Sequence, residues 1–139
     1  MSILKLDRSI PVSAPLLESF LELDQVILDA LPVGVYACDA DGLIRRVNRR
    51  AIELWGRAPK LRDITERFCG SFRVESMAGD FIPPGDTPTA RALMTGKSFE
   101  AVEAVVQNPD GKRWIASVNV APLRDESGVV TERSTVSRT

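Results

Sequence analysis

Three tetrapeptides do most to constrain this chain. Asp39-Ala40-Asp41-Gly42, Asn108-Pro109-Asp110-Gly111 and Asp125-Glu126-Ser127-Gly128 each open on Asp or Asn and close on Gly, residues that favour chain reversal. Each stands beside runs rich in β-branched or alternating apolar residues. So short a connection joins antiparallel neighbours, because parallel strands need a crossover of about a dozen residues or more. The sequence therefore predicts an antiparallel sheet. Residues 33–39 return as 43–47, residues 99–107 return as 112–123, and a last strand opens at Val129 with a polar, weak continuation. Along 112–123, Trp114, Ala116, Val118 and Val120 share one face and Ile115, Ser117, Asn119 and Ala121 the other. The polar pair Ser117 and Asn119 makes that second face either solvated or a source of hydrogen bonds for a bound ligand.

Helix signals fill the gaps between strands. Ser13, Ala14 and Pro15 read as a helix start. From there Leu16, Phe20, Leu23, Ile27 and Ala30 recur in steps of four and three, an uninterrupted heptad seam. Leu17, Leu21, Leu28 and Leu31 form a second stripe beside it, and Pro32 ends the helix. Asn48 is placed to cap a helix over 49–55 that Gly56 closes. Thr87-Pro88 starts another, which Gly96 closes. Residues 57–85 carry three glycines and three prolines and no clean period, and predict short helical turns and loops pinned by Phe68, Phe72, Met77 and Phe81. The fold class is α+β: a five-stranded antiparallel sheet with helices on one face and a leading amphipathic helix. The expected divisions are a leader and helix over 1–31, a domain over 32–133, and a weakly ordered tail over 134–139.

Composition removes most catalytic chemistry. The 139 residues include no histidine, so Ser-His-Asp and Cys-His catalysis, histidine-ligated zinc and histidine-ligated haem are excluded. Two cysteines, Cys38 and Cys69, cannot build a structural zinc site, and with no export signal visible both are expected as reduced thiols. A net charge of -1 supplies no broad basic field for nucleic acid. Arg45, Arg46, Arg49 and Arg50 cluster, but read as a solvated surface. No apolar run is long enough to cross a membrane. Asp39-x-Asp41-Gly42 is similar to the opening of a calcium loop, yet the position that should hold the bidentate acid holds Arg50, so it reads as a turn and no metal is expected.

The order of these elements resembles a PAS domain, the sensory module of bacterial signalling proteins such as histidine kinases. The resemblance spans about residues 24–132. It is carried by Leu31-Pro32-Val33-Gly34-Val35-Tyr36, by Asp39-Ala40-Asp41-Gly42 with Val47-Asn48-Arg49, and by Ala51, Leu54, Trp55 and Gly56. Phe68-Cys69-Gly70-Ser71-Phe72-Arg73, the stretch from Thr87-Pro88 to Gly96-Lys97, and the closing turns at 108–111 and 122–128 complete it. The last strand departs from the family in being poor in apolar residues. The resemblance implies a cytoplasmic sensory or interaction module, without enzymatic activity of its own, that serves a signalling output domain or protein. Its expected partners are a second copy, joined through Leu16, Phe20, Leu23 and Ile27 of the leading helix, and a small-molecule ligand; nucleic acid and membrane are not among them.

The candidate ligand residues are Tyr36, Cys38, Trp55, Phe68, Cys69, Phe72, Met77, Met94, Ser117 and Asn119, between the sheet and the cover over 48–96. They are aromatic, sulfur-bearing or, on the strand, polar, and core packing is the competing reading for most of them. Neither haem nor flavin is expected. Cys69 near Arg73 is similar to the photoactive cysteine of flavin-binding relatives, but the Asn-Cys-Arg run is missing. Two other functions stay open: a small α+β enzyme of the ketosteroid isomerase type, for which Tyr36 and Asp39 are cast on opposite strand faces, and a purely structural dimerisation module.

Overall fold

The computed structural model describes residues 24–124 and 130–138, with side chains described through residue 121. Seven strands form one antiparallel sheet: β1 Gly34–Cys38, β2 Ile44–Val47, β3 Arg73–Glu75, β4 Phe81–Ile82, β5 Phe99–Gln107, β6 Arg113–Arg124 and β7 Val130–Arg138. Their order across the sheet is β2-β1-β7-β6-β5-β3-β4. The expected five strands are present, and two more extend one edge. β3 and β4 come from the stretch predicted as loops and turns. β5 leaves an edge of backbone donors and acceptors, and Arg73, Val74 and Glu75 pair with Gln107, Val106 and Val105 along it. Pairing to an edge needs no long apolar period, so three residues suffice.

β7 differs more. Residues 134–138, expected as a weakly ordered tail, run between β1 and β6, with Ser134 paired to both Tyr36 and Val120. Ladder bonds on both sides are made by the backbone and are indifferent to a polar sequence. The turn expected at 125–128 lies outside the described residues.

Among the described residues three α-helices accompany the sheet: α1 Gln25–Asp29, α2 Arg49–Trp55 and α3 Pro88–Thr95. α2 and α3 begin and end where the sequence places their caps. Thr87 accepts from the Ala90 amide, and Gly56 and Gly96 close the two helices at φ 70° and 71°. α2 lies on β1 and β7, and α3 on β6 and β7. They cover the face of β6 that carries Trp114 and Ala116, which pack with Tyr36, Ile44, Leu54 and Trp55. α1 stops short of the predicted Leu31, because a residue before proline is driven out of the helical region. Leu28 is its buried residue, while Val26 and Ile27 are 80% and 48% exposed. Leu16, Phe20 and Leu23 lie outside the described residues.

The junction of these elements is one side chain. Asn48 is buried, and its Oδ1 accepts from the Val35 and Ala51 amides at 2.9 and 3.0 Å. Its Nδ2 donates to the Leu28 and Val33 carbonyls at 2.8 and 2.9 Å. Its neighbours add to the joint: Gln25 Nε2 donates to the Val47 carbonyl and Asp29 Oδ1 accepts from the Arg49 amide. At the far end of α2, the buried Asn108 donates to the Leu54 carbonyl and accepts from Trp114 Nε1. Between β1 and β2, Asp39 accepts from the Asp41 and Leu43 amides and from Arg45 Nε. Burial pushes the Asp39 carboxyl up, but these donors, Arg45 first, outweigh it and hold the carboxyl below its ordinary range.

Replacing Asn48 by Ala strands the Val35 and Ala51 amides and the Val33 carbonyl in the interior, while the Leu28 carbonyl keeps the Leu31 amide. Each buried group left without a partner costs about 1–3 kcal/mol, so with partial relaxation Asn48→Ala is expected to lose about 3–5 kcal/mol of stability. Urea denaturation followed by circular dichroism measures it, and a loss under about 1 kcal/mol contradicts the role given to this side chain.

Candidate functional site

Between the sheet and its helical cover lies a cavity of about 30 Å³. Val74, Ala104, Val106 and Val118 form its sheet side, and Trp55, Cys69 and the start of α3 close it. At this size it has room for about two water molecules. Three hydroxyl-bearing residues, Tyr36, Thr87 and Thr89, stand in a mostly apolar wall. Tyr36 Oη and Thr89 Oγ1 are 2.6 Å apart and bridge β1 to α3. The Tyr36 ring meets the Trp55 indole edge-on, with centroids 5.1 Å apart.

The segment at 67–71 is fitted onto this core by close backbone approach. A Cβ at Gly70 would lie 2.5 Å from Trp55 Cζ3, so only glycine lets the chain cross the indole there. Phe68 sits at φ 72°, in the left-handed region, and the Cys69 amide donates back to the Arg67 carbonyl at 2.8 Å. Such a conformation costs a bulky L-residue about 1–2 kcal/mol. It is held from three sides. The Phe68 amide donates to the Gly42 carbonyl, the Arg67 guanidinium lies 4.7 Å over the Phe68 ring, and Cys38 Sγ reaches the Phe68 carbonyl. Cys69 Sγ and Ser71 Oγ are 3.0 Å apart. Burial pushes the Cys69 thiol up, more than the hydrogen bond with Ser71 lowers it. Neither cysteine is in a disulfide.

The structure brings Tyr36, Trp55 and Cys69 together at the cavity. The other expected residues are elsewhere. Cys38 is buried in the core beside Ile44. Phe68 covers Gly42, and Phe72 stands in the outer wall, half bare. Met77 and Met94 are exposed, Met94 to 80%. Ser117 and Asn119 are buried but alternate away from Ala116 and Val118, on the face opposite the cavity. Asn119 instead serves a bulge in β5, where its Oδ1 accepts from the Ala101 amide at 3.0 Å. Sequence reasoning missed Val74, Thr89, Ala104, Val106 and Val118 as lining. The apolar alternation of β6 pointed to Val118; nothing marked Val74. No carboxylate lines the cavity among the described residues, and Asp39 lies in the β1–β2 turn. The arginine cluster is occupied locally: Arg45 pairs with Asp39, Arg50 with Glu53, and Arg46 donates to Gln25.

A family model described as the PAS fold matches residues 28–138. Among solved structures, the PAS domain of an HTR-like protein from Haloarcula marismortui superposes with a TM-score of 0.57 at 18% identity, covering 88% of this chain and 94% of that one. The PAS domain of nitrogen regulation protein NR(II) from Vibrio parahaemolyticus gives 0.57 at 14%, covering 85% and 99%. That of the fruit-fly ELK potassium channel gives 0.61 at 14%, covering 88% and 95%. At these identities the superpositions establish the fold. No curated protein sequence matches the chain.

The raised Cys69 thiol has a direct readout. Only the thiolate is nucleophilic, so iodoacetamide at pH 8 is expected to label Cys69 more slowly in the native protein than in the unfolded chain. The native rate should climb only above the ordinary thiol range. Mass spectrometry of time points distinguishes the two cysteines, and equal native and unfolded rates would show that Cys69 is not protected.

Proposed function

The chain belongs to the PAS fold family, and on that premise we propose that it is a sensory module of signal transduction that takes a small apolar molecule into the Tyr36–Trp55–Cys69 cavity. The observation that carries this is the hydroxyl pair of Tyr36 and Thr89 in a mostly apolar wall. It joins β1 to α3, so a ligand that parts or re-aims the two hydroxyls changes how the cover meets the sheet. β1 is in turn tied to α1 through Asn48. Binding becomes a signal when a ligand favours one of two such arrangements over the other.

The proposal carries further parts. The module acts in the cytoplasm as a homodimer through its leading helix, and it regulates an output domain or protein, such as a histidine kinase, rather than catalysing a reaction. Among the described residues no helix is long and apolar enough to cross a membrane. The self-association is supported by Val26 and Ile27, exposed on α1 at the end of the heptad seam. Haem and flavin stay outside the proposal. A cavity of about 30 Å³ is far below the roughly 300 Å³ at which pockets for ligands of that order begin. A purely structural dimerisation module is the runner-up, supported by the same small volume.

Xenon tests the cavity without presuming a ligand. Under xenon pressure the methyl resonances of Val74, Val106 and Val118 are expected to shift, and Ala104→Ile, which fills the space, should abolish the response. Silent methyls return the chain to the dimerisation reading.

The helix is tested separately by light scattering. Ile27→Arg, at an exposed position, is expected to convert a dimer to a folded monomer. A wild-type monomer removes the homodimer proposal, and an unaltered dimer moves the interface off α1.

A further inference from the structure

The cavity is the innermost of three hollows that share walls. The next, about 110 Å³, has Cys69, Val74 and Thr87 in common with it and is flanked by Phe72 and Phe81, both more than half exposed. The third, about 250 Å³, shares Cys69, Ser71 and Phe72 with the second and opens among Arg57, Glu66 and Arg67. Space and polarity therefore grow together from inside to outside, along one line that Cys69 borders throughout. Two half-bare aromatic rings on that line are suited to apolar matter lying between them.

The outer end has an unbalanced charge. Arg57 pairs with Glu66 and donates to the Gly70 carbonyl, so those two side chains neutralise each other. Arg67 gives its Nε to a neutral acceptor, the Asp41 carbonyl, at 2.7 Å. No carboxylate pairs with Arg67 among the described residues. A guanidinium so placed matches a carboxylate in a planar, two-pronged way.

From this gradient we infer that the three hollows form one site for a short-chain alkyl carboxylate, its methyl end in the inner cavity and its carboxylate at Arg67. The inference rests on the ligand reading above and names the ligand's class. The strained reversal at Phe68 stands between the two working ends. Arg67 before it holds the head and Cys69 after it borders the tail, so relaxing one φ angle re-aims both.

The test uses methyl-labelled protein titrated with butanoate, hexanoate, octanoate and 1-octanol. Affinity is expected to rise from butanoate to octanoate, with shifts at the Val74 and Val106 methyls. Arg67→Gln should weaken octanoate by about tenfold or more and leave octanol within about twofold, since one charge-assisted pair is lost. Cys69→Phe should block both, with melting curves confirming that each variant is folded. Equal binding of octanoate and octanol, equal weakening of both by Arg67→Gln, or carboxylate affinity independent of chain length would each overturn the inference. Xenon entry with no response to any of these probes also overturns it while leaving the ligand reading standing. Silence to xenon and to the probes removes both.

Discussion

The four hydrogen bonds of one buried asparagine hold the rest of the structure in register. A side-chain amide offers two donors and two acceptor lone pairs, and Asn48 spends them on α1, on two residues of the β1 entry, and on the first turn of α2. No other residue type has that inventory at that size. Aspartate lacks the donors and would bring a charge indoors; leucine lacks both. Full satisfaction of a buried polar group specifies one arrangement, because every alternative leaves a group unmet.

Asn108 repeats the device at the other end of α2. The helix is only seven residues long and gains little from its own propensity. It is fixed by polar bonds at both ends and by the packing of Ala51, Leu54 and Trp55 beneath it. That fixity matters for the cavity, because Trp55 is the last residue of the helix and forms one of its walls. The cover over 66–72 is the contrasting part. It rests on glycine clearances and a strained Phe68 instead of a regular ladder. A rigid wall and an adjustable one thus face each other across the same small space.

What the sequence revealed follows from how local each feature is. Caps at Asn48, Thr87 and Gly96, and the turns closed by Gly42 and Gly111 at φ 84° and 91°, are decided within four residues and were legible. The faces of β6 were legible as two sets, but alternation alone does not say which set points inward; Trp114 settled it by packing in the core. Ser117 and Asn119 were misplaced for that reason, and the β5 bulge that Asn119 serves has no local signature. Met77 and Met94 illustrate a second limit. An apolar side chain announces a preference, and whether the fold covers it depends on elements far along the chain. Val74 is the converse. The three residues of β3 acquire their role from β5, some thirty positions away.

The central place of β7 bears on how the protein is made. The ribosome releases β1 long before Val130–Arg138 and β6 just ahead of them, yet those residues separate the two in the finished sheet. Until they emerge, the nascent domain presents two unpaired strand edges flanking an empty slot. Such a slot accepts any extended peptide, including the matching strand of a second nascent copy, so exchange of the last strand between copies competes with closure. The weakly apolar character of β7 tempers that competition, since the strand that fills the slot has little reason to aggregate while it waits.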